Sequence, residues 1–166
     1  RTPSSAASDV YKRQPPDCIP TDTKAAGLYM ICTLSKHEAE KNGYTDALML
    51  DYKGRISEST GSNIFLVING EIHTPIPDCF LNGITRQAVI KIAKKEGIKV
   101  IERDIYPNEI AKAEEIFLTG SAVEVTPVGK IDDQTFKVGD ITTKISSLYM
   151  KAVSYTHLRA HETSSN

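Results

Sequence analysis

Several absences narrow the function classes open to this sequence. A formal net charge of only -1 argues against a nucleic-acid backbone as the partner. No apolar run approaches the roughly 18 residues of a membrane span, and no charged-then-apolar signal segment opens the chain. What is present, 40% hydrophobic and 25% charged residues in a chain of 166, is typical of a globular domain with a substantial core.

Cysteine and histidine are also scarce. Cys18, Cys32 and Cys79 are widely spaced and form no CxxC pair, which indicates reduced thiols and predicts a cytoplasmic protein. His37 and His73, the histidines of the central region, offer no metal-ligand spacing. A metal enzyme or a histidine-based hydrolase is therefore disfavoured, and we predict no metal site.

The two ends of the chain differ from the sequence between them. Residues 4–14 (SSAASDVYKRQ) and 153–163 (VSYTHLRAHET) match translated adapters of transposase-based sequencing libraries, in the orientations expected for opposite ends. We therefore predict that residues 1–14 and 153–166 are adapter-derived, disordered tails. Residues 15–152 are then expected to be the natural domain.

Hydrophobic periodicity within the natural domain predicts both helices and strands. Helical patterns cover 26–41, 84–96 and 140–150, and a short helix begins at Pro107. Strand patterns cover 47–51, 63–68, 71–74, 99–102, 115–118 and 123–131. Asn69-Gly70 is typical of a two-residue hairpin turn, which excludes a purely parallel βαβ array. The predicted fold class is α+β (mixed α/β).

Four segments of small and polar residues are candidates for chemistry: 24–29 (KAAGLY), 58–63 (ESTGSN), 81–86 (LNGITR) and 118–122 (LTGSA). Each has an ordinary alternative, namely a solvated lysine, a turn, a helix cap and a tight loop. Together they offer an amine, a carboxylate and two places where backbone N–H groups could hold a phosphate. Pyridoxal phosphate has matching groups, although the spacing alone does not single out this cofactor.

The ordered motifs KAAGLY, ALMLDYKGRISESTGSNIF, TPIPDCFLNGITR, GIKVIERDI and FLTGSAVEVTPV resemble those of branched-chain amino acid aminotransferases. These enzymes belong to the fold-type IV (class IV) group that depends on pyridoxal 5'-phosphate. The resemblance covers nearly all of residues 17–150. It implies the large C-terminal domain of that group, a mixed sheet or pseudo-barrel surrounded by helices.

The resemblance also implies residue roles. Lys24 matches the catalytic lysine that forms the internal aldimine and shuttles the proton at Cα. Tyr29 matches the tyrosine that hydrogen-bonds the phenolic oxygen of the cofactor, and Glu58 matches the acid that pairs with the pyridine nitrogen. The other implied cofactor-binding positions are Asn63, Leu81, Gly83, Ile84, Thr85, Gly120 and Ser121. The amides of Ser121 and Ala122 resemble the donors to the substrate carboxylate, although the family usually has threonine at position 121.

The implied reaction transfers the amino group of a branched-chain L-amino acid to 2-oxoglutarate, in a cytoplasmic homodimer or larger homo-oligomer. Family members carry a smaller N-terminal domain that supplies a phosphate-binding arginine and part of the substrate pocket. We therefore expect this chain alone to bind the cofactor weakly and to be inactive.

Two alternatives stay open. D-amino acid transaminases and aminodeoxychorismate lyases share the lysine, the acid and the GIT segment, whereas Tyr29 and the stretch GYTDALMLD favour the branched-chain group. From another class, the chain could be a catalytically silent domain that binds phosphate ligands or a protein partner. Neither nucleic acid nor a membrane is an expected partner.

Overall fold

A mixed β-sheet organises the chain. The computed structural model describes residues 4–18, 20–21 and 23–162. Within these ranges ten strands form one sheet in the order β10-β9-β1-β2-β3-β4-β5-β6, and β7 joins β4 to β8. The neighbouring pairs β2–β3, β3–β4 and β4–β5 are antiparallel, whereas β1–β2 and β5–β6 are parallel. The mixed sheet with its helices confirms the predicted α+β class.

The strands are β1 (Ser4–Arg13), β2 (Asp46–Asp51), β3 (Ile56–Ser59), β4 (Asn63–Ile68), β5 (Glu71–Thr74), β6 (Val100–Glu102), β7 (Glu115–Gly120), β8 (Glu124–Pro127), β9 (Lys130–Ile131) and β10 (Gln134–Thr135). The helices are α1 (Met30–Lys41), α2 (Ile84–Lys95) and α3 (Asp140–Glu162), with 3-10 helices at Ala26–Tyr29 and Pro107–Lys112. None of the described helices combines the length and apolarity needed to cross a membrane.

Strand β4 lies at the centre of the core because both of its faces are covered. Its alternate side chains point to opposite faces of the sheet. Ile64 and Leu66 pack into one apolar cluster, while Phe65 and Val67 pack into a second cluster beneath α2 and α3. The rings of Phe65 and Phe117 stack with their centroids 4.9 Å apart, which fastens β4 to β7.

The hairpin prediction is confirmed at the β4–β5 turn. Asn69 and Gly70 have φ of 52° and 73°, the left-handed conformation that a two-residue turn of this kind requires. This turn fixes the antiparallel register of Val67 opposite Ile72.

The prediction that both terminal segments are disordered is wrong for the residues that the structure describes. Residues 4–13 form β1, which pairs in parallel with β2 and β9 and so satisfies backbone groups along the buried β2. Residues 153–162 extend α3, since no glycine or proline interrupts that stretch. The foreign origin of the two segments stays a prediction, and residues 1–3 and 163–166 lie outside the described ranges.

Candidate active site

A cavity of about 230 Å³ lies where the ends of several strands meet the start of α2. It is lined by Lys24, Tyr29, Glu58, Gly61, Ser62, Asn63, Leu81, Gly83, Ile84, Thr85, Thr119, Gly120 and Ser121. All ten residues that the sequence proposes as cofactor contacts are in this set. Ala122 follows Ser121 in an exposed turn and is not among the lining residues.

Sheet register explains why distant segments meet here. Asn63, the first residue of β4, pairs with Glu58 of β3 on one side and with Thr119 of β7 on the other. Because both pairings are antiparallel, the last residues of β3 and β7 lie beside the first residue of β4. Two of the four polar segments thus share one edge of the cavity.

Lys24 and Tyr29 enter from the segment before α1. Lys24 lies two residues ahead of the 3-10 helix, and its side chain is exposed. Leu28 is buried and anchors this helix, whereas Tyr29 is half-buried. Burial, followed by the nearby Glu58 carboxylate, raises the pKa of the Tyr29 phenol, so the group stays a neutral hydrogen-bonding hydroxyl over the physiological range.

Glu58 is a buried carboxylate, only 6% exposed. Burial raises its pKa to about 7, with Asp46 acting in the same direction and Arg13 opposing the rise. The Arg13 Nη2 lies 3.1 Å from Glu58 Oε1, and the Asn63 amide nitrogen lies 3.5 Å from Oε2. A cationic hydrogen-bond donor brought into the cavity would lie beside a carboxyl group whose pKa is close to neutral pH.

Asn63 connects the acid to the loop before α2. Its Nδ2 donates to the Leu81 carbonyl at 2.9 Å, and its Oδ1 accepts the Gly83 N–H at 3.2 Å. A Cβ at position 83 would lie 2.5 Å from that same Oδ1. Glycine is therefore required at this position by the close approach of the Asn63 side chain.

The N-terminus of α2 is suited to an anion. Gly83 is its N-cap residue, and no described side chain caps the first turn. Ile84 and Thr85 line the cavity, so the free N–H groups of this first turn and the positive end of the helix dipole lie beside it. The Thr85 hydroxyl lies 3.4 Å from the Tyr149 hydroxyl, and this contact joins the first turn of α2 to α3.

Two buried arginines fix the loop that leads into α2. Arg55 pairs with Asp78 at 2.8 Å, and Arg86 donates to the Pro75 carbonyl and to Asn82 Oδ1, both at 2.9 Å. Arg86 is only 1% exposed. The loop is therefore held at both of its ends, and the anion-binding turn starts from a rigid base.

The opposite wall is formed by the end of β7 and the β3–β4 turn. A Cβ at Gly120 would lie 3.1 Å from Ser62 Oγ and 3.3 Å from the Gly61 carbonyl oxygen, so the two loops approach closely. Thr119 Oγ1 is buried and has no hydrogen-bond partner among the residues that the structure describes. A buried hydroxyl without a partner is costly, so this group is available to a ligand in the cavity.

Comparison with known proteins agrees with this geometry. The family described as amino-transferase class IV matches residues 2–131. The chain belongs to the class IV aminotransferase family. The resemblance read from the sequence motifs is thereby confirmed at the family level, and the match includes β1.

Relatives of this class IV aminotransferase chain carry consistent descriptions. The probable branched-chain-amino-acid aminotransferase of Aquifex aeolicus is 42% identical over 148 residues, which cover 86% of this chain and 48% of that protein. The chain therefore spans about half the length of the curated relatives it matches.

Solved structures match the fold closely. The branched-chain aminotransferase of the thermophilic archaeon Thermoproteus uzoniensis, with norvaline, has a TM-score of 0.87 and 36% identity, covering 91% of this chain and 51% of that one. An aminotransferase from Brucella abortus bound to the co-factor PLP has a TM-score of 0.86 and 34% identity, covering 91% and 54%.

Sequence reasoning missed three residues that line the cavity and one that lies behind its wall. Gly61, Ser62 and Thr119 line the cavity within segments that the sequence had singled out, but nothing marked them individually. Arg13 falls within the predicted adapter tail, and no local pattern links it to Glu58, 45 positions away. Only the pairing of β1 with β2 brings the two together.

Proposed function

We propose that the whole protein is a pyridoxal-phosphate-dependent aminotransferase that transfers the amino group of branched-chain L-amino acids to 2-oxoglutarate, and that this chain provides most of its cofactor site. The observation that carries the proposal is the meeting of three groups in one cavity. An amine at Lys24, a buried carboxylate at Glu58 and an uncapped helix N-terminus at Ile84 all line it.

The residues present fit this cofactor. Glu58 would accept a hydrogen bond from the protonated ring nitrogen, and the amides of Ile84 and Thr85 would hold the phosphate. Ser121 and the orphaned Thr119 hydroxyl offer further donors on the facing wall. At about 230 Å³ the cavity is smaller than the roughly 300–1,000 Å³ of most ligand pockets, which suits a compact ligand.

The bound cofactor supplies an aldehyde and an electron-withdrawing ring. The Lys24 amine is the nucleophile, and as a free amine it moves the proton at the substrate Cα. The Glu58 carboxylate would hold the proton at the ring nitrogen, and the Tyr29 hydroxyl would hydrogen-bond the phenolic oxygen. Placing the amine beside Cα replaces a bimolecular step and can contribute roughly 7–11 kcal/mol to catalysis.

The substrate class rests on sequence and on relatives. The motif GYTDALMLD and Tyr29 favour the branched-chain group over the D-amino acid transaminases, and the Aquifex relative is described as a branched-chain enzyme. The amides of Ser121 and Ala122 are proposed to bind the substrate carboxylate. A panel of amino acids on the full-length protein decides: L-leucine, L-isoleucine and L-valine should react, while reaction with D-alanine would favour the alternative.

The same proposal places the protein in the cytoplasm as a homodimer or larger homo-oligomer. The location is supported by the cysteines, since all three lie in the described residues and none forms a disulfide there. Size-exclusion chromatography with light scattering on the full-length protein measures the oligomeric state. A monomer that retains full activity would contradict this part of the proposal.

Covalent trapping tests the lysine assignment in this chain. The purified chain is mixed with limiting pyridoxal phosphate, treated with borohydride and mapped by mass spectrometry. We expect the pyridoxyl group on Lys24 and its loss in Lys24→Arg. Lys53→Arg is the matched control, since Lys53 is exposed in the β2–β3 turn outside the cavity lining, and it should leave labelling unchanged. Equal labelling of Lys24 and Lys53 would contradict the assignment.

A further inference from the structure

Arg13 stands just behind the cavity wall, at the last position of β1. Its side chain is 4% exposed, and it is not among the residues that line the cavity. Nη2 pairs with Glu58 Oε1 at 3.1 Å. Nη1 donates to the Leu28 carbonyl at 3.0 Å and contacts Cys32 Sγ at 3.4 Å. One guanidinium thus joins β1, the 3-10 helix, α1 and β3.

The charged groups around Glu58 show why the Arg13 contact matters for the ionisation of this acid. Asp46 at the start of β2 disfavours the Glu58 anion, and Arg13 is the cation that favours it. Within the described part of the chain, Tyr29 and Cys32 also interact with Glu58, and burial raises the pKa of each, so both remain neutral. The remaining hydrogen-bond donor, Asn63 Nδ2, is 3.5 Å away and uncharged. Among the residues that the structure describes, Arg13 is the cation whose charge acts on Glu58, so its removal would leave the acid buried near the Asp46 carboxylate without that compensation.

The second half of the guanidinium contact reaches the phenol side of the cavity. The Leu28 carbonyl that accepts from Nη1 belongs to the residue directly before Tyr29. A planar guanidinium can hold this carbonyl and the Glu58 carboxylate in a fixed relation, which a single ammonium cannot do equally well. The acid and the tyrosine are therefore tied to one rigid group.

We propose that Arg13 is a positioning residue that holds Glu58 as an anion facing the cavity and fixes its placement relative to Tyr29. This inference rests on the proposed function, because the ring nitrogen of the cofactor is the group that the Glu58 anion would serve. It concerns the arginine present at position 13, whatever the origin of the segment that encodes it. Arg13 itself is not among the residues that line the cavity, so its role is to position Glu58.

The direct test measures the Glu58 carboxyl by carbon NMR in the cofactor-free chain, with Glu58→Gln to assign the signal. The unchanged chain should titrate near pH 7. In Arg13→Gln the midpoint should rise by roughly one to three pH units. The matched control is Lys12→Gln, which removes the same charge from the neighbouring, exposed position of β1 and should leave the midpoint unchanged. An equal midpoint in Arg13→Gln and the unchanged chain would overturn the proposal.

The role of Arg13 can still be tested if Arg13→Gln fails to fold. Circular dichroism establishes whether Arg13→Gln is folded, and Arg13→Lys takes its place where it is not. The lysine keeps the charge but loses the forked contact, so we expect a smaller upward shift of the Glu58 midpoint. An unchanged midpoint in a folded Arg13→Lys chain would show that the charge alone suffices, and it would overturn the fixed placement that the proposal assigns to the guanidinium.

Cofactor affinity provides a second readout that separates the two proposals. Pyridoxal phosphate titrated at pH 7.5 should bind Arg13→Gln at least roughly threefold more weakly than Lys12→Gln, because a one-unit rise of the Glu58 pKa from about 7 lowers its ionised fraction at this pH by about that factor. If the unchanged chain binds no cofactor while the Glu58 midpoint still depends on Arg13, the proposed function fails and the Arg13–Glu58 coupling stands. Equal affinities of the two variants would remove Arg13 from the cofactor site.

Discussion

The Gly83 N–H donates to Asn63 Oδ1 at 3.2 Å, and this bond joins the first residue of β4 to the N-cap of α2. Through the same side chain the Glu58 acid lies next to the anion-binding turn. The side-chain amide of Asn63 therefore links the proposed contact to the ring nitrogen with the proposed contact to the phosphate. A substitution at Gly83 should disturb both contacts.

Replacing Gly83 with alanine should weaken cofactor binding about tenfold or more, because the new Cβ would lie 2.5 Å from Asn63 Oδ1 and displace that side chain. Overpacking of this kind also costs roughly 1–3 kcal/mol of stability. Fluorescence titration with pyridoxal phosphate and thermal unfolding measure the two effects. Gly27→Ala is the control, since a Cβ there meets nothing within 4 Å. Equal behaviour of the two variants would contradict the argument.

Thr119→Val should have opposite effects on stability and on binding. The valine removes a buried hydroxyl that has no partner among the described residues, so the cofactor-free chain should unfold at the same or a higher temperature. Affinity for pyridoxal phosphate should fall severalfold, because the orphaned donor is lost from the cavity wall.

The matched control for Thr119→Val is Thr142→Val. Thr142 is equally buried at 1% exposure and its hydroxyl is also without a described partner, but it lies in α3 and is not among the cavity-lining residues. Its stability change should be similar, with affinity unchanged. A loss of affinity in both variants would mean that the Thr119 hydroxyl has no specific role.

The raised pKa of Glu58 predicts the sign of a pH effect on stability. With a folded pKa of about 7 against 4.5 in the unfolded chain, the folded state binds more protons between these values. The contribution of Glu58 to the free energy of unfolding is therefore largest below pH 4.5. It falls by up to roughly 1.4 kcal/mol per pH unit between pH 4.5 and 7 and is constant above.

Urea unfolding at several pH values, compared between the unchanged chain and Glu58→Gln, isolates this effect from that of His73, whose pKa is lowered by burial and by Arg103. The difference in unfolding free energy between the two chains should slope only within the window from pH 4.5 to 7. A difference that is flat across this window would show that Glu58 titrates at its ordinary pKa.

Removing residues 1–14 should abolish cooperative folding. The deletion takes away β1, leaves the buried β2 without its parallel neighbour and removes Arg13 from beside Glu58. An uncovered strand edge also promotes aggregation. Removing residues 153–166 is the comparison, because the last described side chains of α3 are mostly exposed, and it should cost far less. Cooperative thermal unfolding of the first deletion variant would contradict the structural role given to β1.

Local patterns predict the middle of this fold well. The apolar run in 63–68, the Asn-Gly turn and the glycine ahead of Ile84 each carry the physical cause of the element they mark, and all three elements begin where the pattern places them. The region 123–131 is less well predicted, because the structure divides the predicted strand into two short strands. Glu124 has a φ of 51°, which no sequence rule anticipates.

Strand β1 and the Arg13 contact could not be predicted because they depend on tertiary pairing. The segment SSAASD is poor in the β-branched and aromatic residues that favour strands, so its conformation comes from β2 rather than from local preference. The candidate site was predicted through family resemblance, since Lys24, Glu58 and Ile84 are far apart in sequence. The sheet register places Glu58 beside Asn63, and the Asn63–Gly83 hydrogen bond brings the start of α2 to the same place.

Strand β1 is flanked on one side by β9, which has only two residues, so little secures that side against local opening. When β1 detaches, Arg13 leaves with it, and the acid at the base of the cavity loses its counterion while most of the sheet is still intact. The rate of opening measured by amide hydrogen exchange along β1 would then limit how long Glu58 keeps its counterion. This limit would not depend on the stability of the domain as a whole.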